Sequence, residues 1–299
     1  MMAVAAVKEK KKEDLTLIGG QAVIEGVLMR TKNYAAVAVR DDSGKIVRKQ
    51  WQILPISKRI KIFKYPFVRG VGVLYETAVL GFKALAFSAT AAAGKDEKGA
   101  DVLGKREMMV SFLFAIIVAA VLFIVAPLFL AGLVAKNNSF LFNFVDGILR
   151  LLAFLAYLVF ISMFKDVQRI FQYHGAEHMT IHAYENHDLL LPAKIRKYPT
   201  MHPRCGTSFL LIVMLVSIVV FSLVNPGGFM SKFLSRLLLL PVIAGVSYEL
   251  LRLGAKFEKN PVMKVFVLPG LLLQRITTKE PDNSQILVAV AAMKAVLRK

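Results

Sequence analysis

Long uncharged runs dominate the second half of the chain. The clearest, Met108 to Ala135, holds 28 residues without a charged side chain. A helix rising about 1.5 Å per residue needs roughly 20 apolar residues to cross a hydrocarbon core, so this run predicts a tilted span, with Pro127 as a kink. A second span is predicted from Ser139 to Phe164, with Asp146 and Arg150 at i and i+4 on one helix face. The third runs from Gly206 to Val224. The fourth, Leu237 to Leu253, is shorter and contains Pro241, Gly245 and Glu249.

Ahead of these runs the pattern changes. YAAVAVR (Tyr34 to Arg40), the turn DDSG and then KIVRKQWQIL read as a β-hairpin, because alternating residues flank a turn. Before it, GGQAVIEGVLMR carries paired glycines and a lone Glu25 in an apolar setting. After it, Phe67 to Ala93 is apolar but carries Arg69, Glu76 and Lys83 at sevenfold spacing, one polar stripe on a helix. That stripe predicts an interfacial or bundle-packed helix rather than a fifth span. Near the C-terminus, PVMKVFVLPGLLL is too short to cross and is interrupted by Pro269-Gly270, which suits an interfacial or re-entrant segment.

Composition agrees with a bilayer. Of 299 residues 56% are apolar, and 39 Lys and Arg stand against 20 Asp and Glu. The basic excess is assigned to the positive-inside bias, not to nucleic acid, because the apolar runs are longer than a soluble core requires. Lys and Arg number 20 from Met1 to Glu107, six from Lys165 to Cys205 and nine from Arg252 to Lys299. The remaining loops hold only Lys136, Lys232 and Arg236. Four spans, with both termini and the central loop in the cytoplasm, satisfy that asymmetry; three or five do not. The expected architecture is a mainly α, multi-pass bundle of the cytoplasmic membrane with a small N-terminal β-hairpin. It divides into a cytoplasmic β-rich segment (1–65), an interfacial amphipathic helix region (66–107) and a membrane bundle (108–299). The bundle would carry a cytoplasmic His-rich loop (165–205) and a cytoplasmic C-terminal segment (254–299). The N-terminus lacks the apolar stretch of a signal peptide, so the first inserted helix is expected to target the chain.

All five histidines lie between positions 174 and 202, in FQYHGAEHMTIHAYE and just beyond it, and the single cysteine follows in HPRCGTSF. On a helix, His174, Glu177, His178 and Glu185 fall within about a 100° arc, with His182 slightly beyond. Two histidines on one turn form half of a site for zinc or a similar ion. The spacing H-x-x-E-H also matches the inverted zincin motif, in which the glutamate is the general base. His202 and Cys205 are the candidate remaining ligands, with Cys205 at a helix N-terminus that favours a thiolate. Zinc is the first choice for a mixed His and Cys set, iron the second. His182, Glu185, Arg204 and Glu249 are further candidates: Arg204 for an anionic group or a lipid headgroup, Glu249 as a carboxylate approaching the histidines. His187 sits in a turn-like NHD context and is left out. The bland reading is a solvated polar helix face with an inert small residue at Cys205; it is weighed down by the crowding of every histidine and the cysteine into one stretch. Trp51 reads as packing, and Lys58 to Arg69 as a headgroup-facing segment.

GGQAVIEGVLMR, FQYHGAEHMTIHAYE, HPRCGTSF, PVIAGVSYELLR and PGLLLQRITTKEP together resemble the YqhQ-type family, bacterial membrane proteins of unknown function described as predicted metal-dependent enzymes. The resemblance covers nearly the whole chain. It implies a polytopic membrane protein with a metal-dependent activity and supplies no substrate. The family has GVMMR where Leu28-Met29-Arg30 stands, a basic residue at Met179 and a glutamate at Asp146; none of these differences removes a proposed ligand.

Two functional classes follow. One is a membrane-anchored metal-dependent hydrolase, conceivably a peptidase, acting on a protein or small molecule, with Glu177 taking a proton from water. The other is a non-catalytic membrane scaffold or assembly factor whose metal is structural and closed by four protein ligands. Ion transport, a di-iron oxygenase and a Cys205 nucleophile with a histidine base rank below these.

Overall fold

A computed structural model describes residues 18–94, 104–135, 139–224, 227–257 and 260–297, with the side chains of 105, 139, 255 and 261–267 also outside the description. The basic run at Lys8 to Lys12 and the Lys136 loop therefore lie outside the described residues. The chain starts as a four-stranded antiparallel meander: β1 (Gly19–Val23), β2 (Gly26–Arg30), β3 (Tyr34–Arg40) and β4 (Ile46–Gln52). The hairpin expected around DDSG is β3 and β4, paired from Tyr34↔Gln52 to Arg40↔Ile46. The GGQAVIEGVLMR motif adds a second hairpin, turning at Ile24-Glu25 with Glu25 at φ 51°.

Both faces of the central strands are covered, so β3 is buried continuously from Ala35 to Val39 and not only at the alternate positions that the expected half-buried hairpin would hide. Val27, Met29, Ala36 and Ala38 face one core, while Leu28, Ala35, Val37 and Val39 face another. The second face is closed by α2 (Val68–Ala93), through Leu80 and Ala84 with Phe87 and Ala91 beside them. It follows α1 (Ile56–Arg59) and a 3-10 turn. The first face is closed by α6 (Lys165–Glu185) and α11 (Asn283–Leu297). α11 is buried almost all round, with Ile286, Val288, Ala289, Val290, Ala292, Met293 and Val296 in the core. Its start is fixed by a reciprocal cap: Asp282 Oδ1 accepts from Gln285 N at 2.8 Å, and Gln285 Oε1 accepts from Asp282 N at 2.9 Å. Segments from the two ends of the sequence and from its middle thus form one hydrophobic core.

The remaining helices are α3 (Lys105–Ala120), α4 (Ala126–Val134), α5 (Ser139–Ile161), α7 (Pro192–Ile195), α8 (Gly206–Leu223), α9 (Phe229–Lys256) and α10 (Pro261–Thr277). α3 and α4 run on through a π turn at Val121–Val125, just ahead of Pro127, whose missing N–H and ring disrupt regular α bonding. Five helices are long and apolar enough to cross a membrane: Val68–Ala93, Arg106–Val134, Phe140–Ile161, Gly206–Leu223 and Phe229–Gly254. That is one more than the four spans read from the sequence, and the extra one is α2. Phe114, Leu133, Phe140 and Leu223 are exposed on the others, as lipid-facing side chains are. The PVMKVFVLPGLLL patch lies in one helix that continues through Pro269, not in a broken segment.

Buried charge holds the bundle. Asp146 accepts from Arg150 and from Arg236, both at 3.0 Å, with Asp146 0%, Arg236 1% and Arg150 6% exposed. The Phe221 ring lies 4.9 Å from one guanidinium and 4.7 Å from the other. Arg236, a loop charge by sequence, lies inside α9, where Asp146 neutralises it.

Candidate metal centre

α6 carries the H-x-x-E-H motif onto the sheet. Its C-terminus closes on a left-handed His187 (φ 56°), with Asp188 N donating to Ala183 O at 2.9 Å, so His187 caps the helix and stands apart from the site. One helical turn brings the His174 and His178 rings to 4.4 Å between centroids. Backbone carbonyls orient both. His174 Nδ1 donates to Thr277 O at 2.7 Å, and His178 Nδ1 donates to Thr200 O at 2.5 Å. Tying up Nδ1 in this way fixes the tautomer whose Nε2 carries a free lone pair, as in metal sites. His174 Nε2 points at Cys205 Sγ, 3.2 Å away. One donor atom from each of His174, His178 and Cys205 falls within 4.8 Å of the other two.

His202, placed with these ligands by sequence, belongs geometrically to a neighbouring group: His182, Glu185 and His202 also offer atoms within 4.8 Å of one another. The rings form a row, His178 to His202 at 5.7 Å and His202 to His182 at 4.5 Å. In this second group His182 Nε2 donates to Met201 O at 3.0 Å, His202 Nδ1 accepts from Arg204 N at 3.2 Å, and Arg204 is ion-paired with Glu185. A guanidinium on the carboxylate and an Nε2–H on His202 make this group a poorer cation cradle than the first. Arg204 thus meets a side chain of its own protein. Glu249 does not approach the histidines: its carboxylate binds Arg69, with Nε to Oε1 at 2.7 Å, and accepts from Phe67 N at 3.2 Å.

Glu177 sits between the triad and β1. It is 4% exposed, and its Oε2 has no hydrogen-bond partner. Its carboxyl lies against Gly20: a Cβ there would come within 2.7 Å of Glu177 Cδ, so glycine is what lets the helix and strand meet at this point. Burial pushes Glu177 up to about 8, with His174 pulling down and Cys205 adding to the rise. Burial also holds His178 well below the ordinary histidine value, with His174 adding to it, so its imidazole is neutral, as a ligand must be. Burial raises the Cys205 thiol too, overcoming bonds from Thr207 that lower it. The N-terminus of α8 does not by itself make the expected thiolate; a cation would have to draw that proton off.

Several supports escaped the sequence. Gln274 clamps the HPRC turn by accepting from His202 N at 2.8 Å and donating to His202 O at 2.9 Å. It was visible only as the lone polar residue in PGLLLQ. Thr200 and Thr277 act through main-chain carbonyls, to which residue type gives no clue. A Cβ on Gly175 would meet Lys279 O at 2.1 Å, so the TTKEP segment runs directly over α6.

The apolar helices and the domain at one end of them define the class: an integral membrane protein with a helix-covered sheet. Residues 65–299 match the family described as "Protein of unknown function (DUF1385)", and the chain belongs to that family. The chain is similar to the uncharacterized protein YqhQ of Bacillus subtilis (strain 168), 34% identical over 94% of this chain and 92% of that protein. No solved structure matches.

Proposed function

We propose that the chain is a metal-dependent hydrolase of the cytoplasmic membrane, with four crossings and both termini in the cytoplasm. The observation that carries this reading is the convergence of three soft or borderline donors beside a buried, unpartnered carboxylate: His174 Nε2, His178 Nε2, Cys205 Sγ and Glu177. The donor set suits zinc first and iron second, and three protein ligands leave a position open, as in catalytic sites. Bound there, a divalent ion supplies Lewis acidity that acidifies water and polarises a carbonyl. The chain's own work is to hold the ligands and move a proton. In its ionised form, the minor one near pH 7 in the metal-free protein, Glu177 takes the proton from the attacking water as oxygen bonds to the acyl carbon, and delivers it to the leaving group as the scissile bond breaks. The topology is supported by the shared core of the N-terminal sheet and α11, which suits described ends on one side and an even number of crossings. α2, with Leu80 and Ala84 buried against the sheet, is then the helix that does not cross.

Elemental analysis of protein purified without chelators tests this. Near-stoichiometric zinc or iron in the wild type, lost in His174→Ala, supports it; a wild type free of metal overturns it. A scaffold with a structural metal is favoured by one observation, the His202 ring 5.7 Å from His178, near enough for a rotation to close a four-ligand site. X-ray absorption separates the two by coordination, since a water ligand marks the enzyme and four protein donors the scaffold.

A further inference from the structure

β1 is an edge strand, and its open edge runs into the candidate site. In an antiparallel ladder successive residues bond to alternate sides. Thr31 N donates to Tyr34 O, and Arg40 N donates to Glu25 O, both at 2.8 Å, so the odd-numbered residues of β2 bond towards β3. The even-numbered ones bond towards β1, where the register pairs Gly26 with Val23, Leu28 with Gln21 and Arg30 with Gly19. Gly20 and Ala22 therefore turn their N–H and C=O groups outward, and among the described residues nothing accepts from or donates to them.

These four polar groups lie along a cleft of about 650 Å³. Val73 and Thr77 of α2 form one wall, Ile170, His174 and Ile181 of α6 the other, and Cys205 closes one end. Gly19, Gly20 and Gln21 are exposed within it. An unblocked edge invites strand pairing, and proteins normally blunt such edges with charge, proline or a covering element. Among the described residues the edge carries none of these, and two glycines keep it narrow.

We infer that the substrate is an extended polypeptide segment that pairs with β1 as an added strand. This rests on the hydrolase reading for its chemistry but not for its binding. A strand laid about 4.8 Å from β1 satisfies the donors and acceptors of Gly20 and Ala22. It also runs beside Glu177, whose carboxyl already touches the Gly20 position. Its alternate side chains meet apolar walls, so apolar residues are preferred. A lipid acyl chain in the same cleft would leave the outward N–H and C=O groups without partners, which is costly. Cleavage adds water across the amide: hydroxyl oxygen joins the carbonyl carbon, the C–N bond breaks, and the nitrogen receives the proton that Glu177 carried.

The test uses the full chain in nanodiscs, stripped of metal with chelator, and a degenerate pool of fluorescent octapeptides of mixed apolar and polar residues. Fluorescence polarisation reads binding above that to empty nanodiscs. A second pool is N-methylated at every backbone nitrogen, which removes the donors of both edges. The unmethylated pool is expected to bind at least about tenfold more tightly, one good hydrogen bond or more. Ala22→Pro removes an outward donor without touching the β1–β2 bonds and is expected to cost a similar factor. Equal binding of the two pools, or no binding tighter than about 1 mM, overturns the inference. The outcomes separate it from the hydrolase reading. Peptides that bind but are never cleaved by metal-loaded protein sink the enzyme and leave the strand site. Hydrolysis of a small ester without peptide binding does the reverse.

Discussion

Replacing Glu177 by Gln should change stability with a sign that depends on pH. The carboxyl has an ordinary value of 4.5 and is held up at about 8 by burial, with Oε2 unpartnered. A carboxyl raised in the native state binds more protons there than in the unfolded chain. This group's contribution to wild-type stability therefore falls as pH rises from 4.5 towards 8 and levels off above that. At pH 7.5, protonating this group on folding costs about 4 kcal/mol; at pH 5 the cost is below about 1 kcal/mol. Gln removes that cost at every pH but buries an amide with few partners, a penalty of about 1–3 kcal/mol. The metal-free variant should be more stable than wild type by about 1–3 kcal/mol at pH 7.5 and less stable by up to about 2 kcal/mol at pH 5. Thermal unfolding in detergent, with chelator present, reads this as a crossing of the two melting curves and a difference of several degrees at each end. The neutral His178 and the raised Cys205 thiol titrate in both proteins, so they largely cancel in the difference. A gap between variant and wild type that stays the same at both pH values would refute the reasoning, because it would mean that the carboxyl does not change its proton count on folding.

Cys205→Ser and His178→Ala should each lower zinc affinity by about a hundredfold or more, read by competition with a chromophoric chelator; unchanged affinity in both would remove them from the ligand set. Asp146→Ala leaves Arg150 and Arg236 buried together without their anion and should cost about 3–5 kcal/mol in detergent, while Asp146→Ala with Arg236→Met should recover more than half of it. A double variant no better than the single would show that the guanidinium charge is not the cause. Gly175→Ala places a methyl where Lys279 O stands, 2.1 Å from the ideal Cβ, and should cost about 1–3 kcal/mol and loosen the Thr277 carbonyl that holds His174. Unchanged melting and metal affinity would show that the TTKEP segment yields easily.

How much could be read in the sequence follows from what each signal measures. The spans could be read because a bilayer demands length and apolarity, and Met108–Ala135 has both. α2 divided the two readings, because mean hydropathy cannot say whether an apolar face meets lipid or a sheet. Its Glu76 pairs with Arg30 of β2, and its Leu80 and Ala84 pack on β3. The histidine turn could be read from helical spacing alone. What spacing could not give was the choice of third candidate ligand. His202 and Cys205 are three apart, and only the HPRC turn, clamped by Gln274, decides that the thiol faces His174 while the imidazole faces Glu185. The strand pair β1–β2 was hidden for a related reason. GGQAVIEGVLMR shows no clean alternation, because both faces of the sheet are covered.

The site is assembled from pieces that no local stretch contains. His174, Glu177 and His178 come from α6, and Cys205 from the mouth of α8. The orienting carbonyls come from Thr200 in the connecting loop and Thr277 at the end of α10. α6 is pinned on one side by α11 and on the other by Gly20 of β1. The geometry of the candidate ligands is therefore sensitive both to the packing of the sheet domain and to the packing of the bundle, which meet at Cys205. Gln274 spans that junction: its side chain holds the His202 backbone and also donates to Ser208 Oγ at 3.3 Å within α8. A displacement of α10 relative to α8 would pull on the HPRC turn through Gln274 and on the His174 ring through the Thr277 carbonyl. The physical role of the bundle here is to fix the distance between a thiol and two imidazoles that the domain alone would leave undetermined.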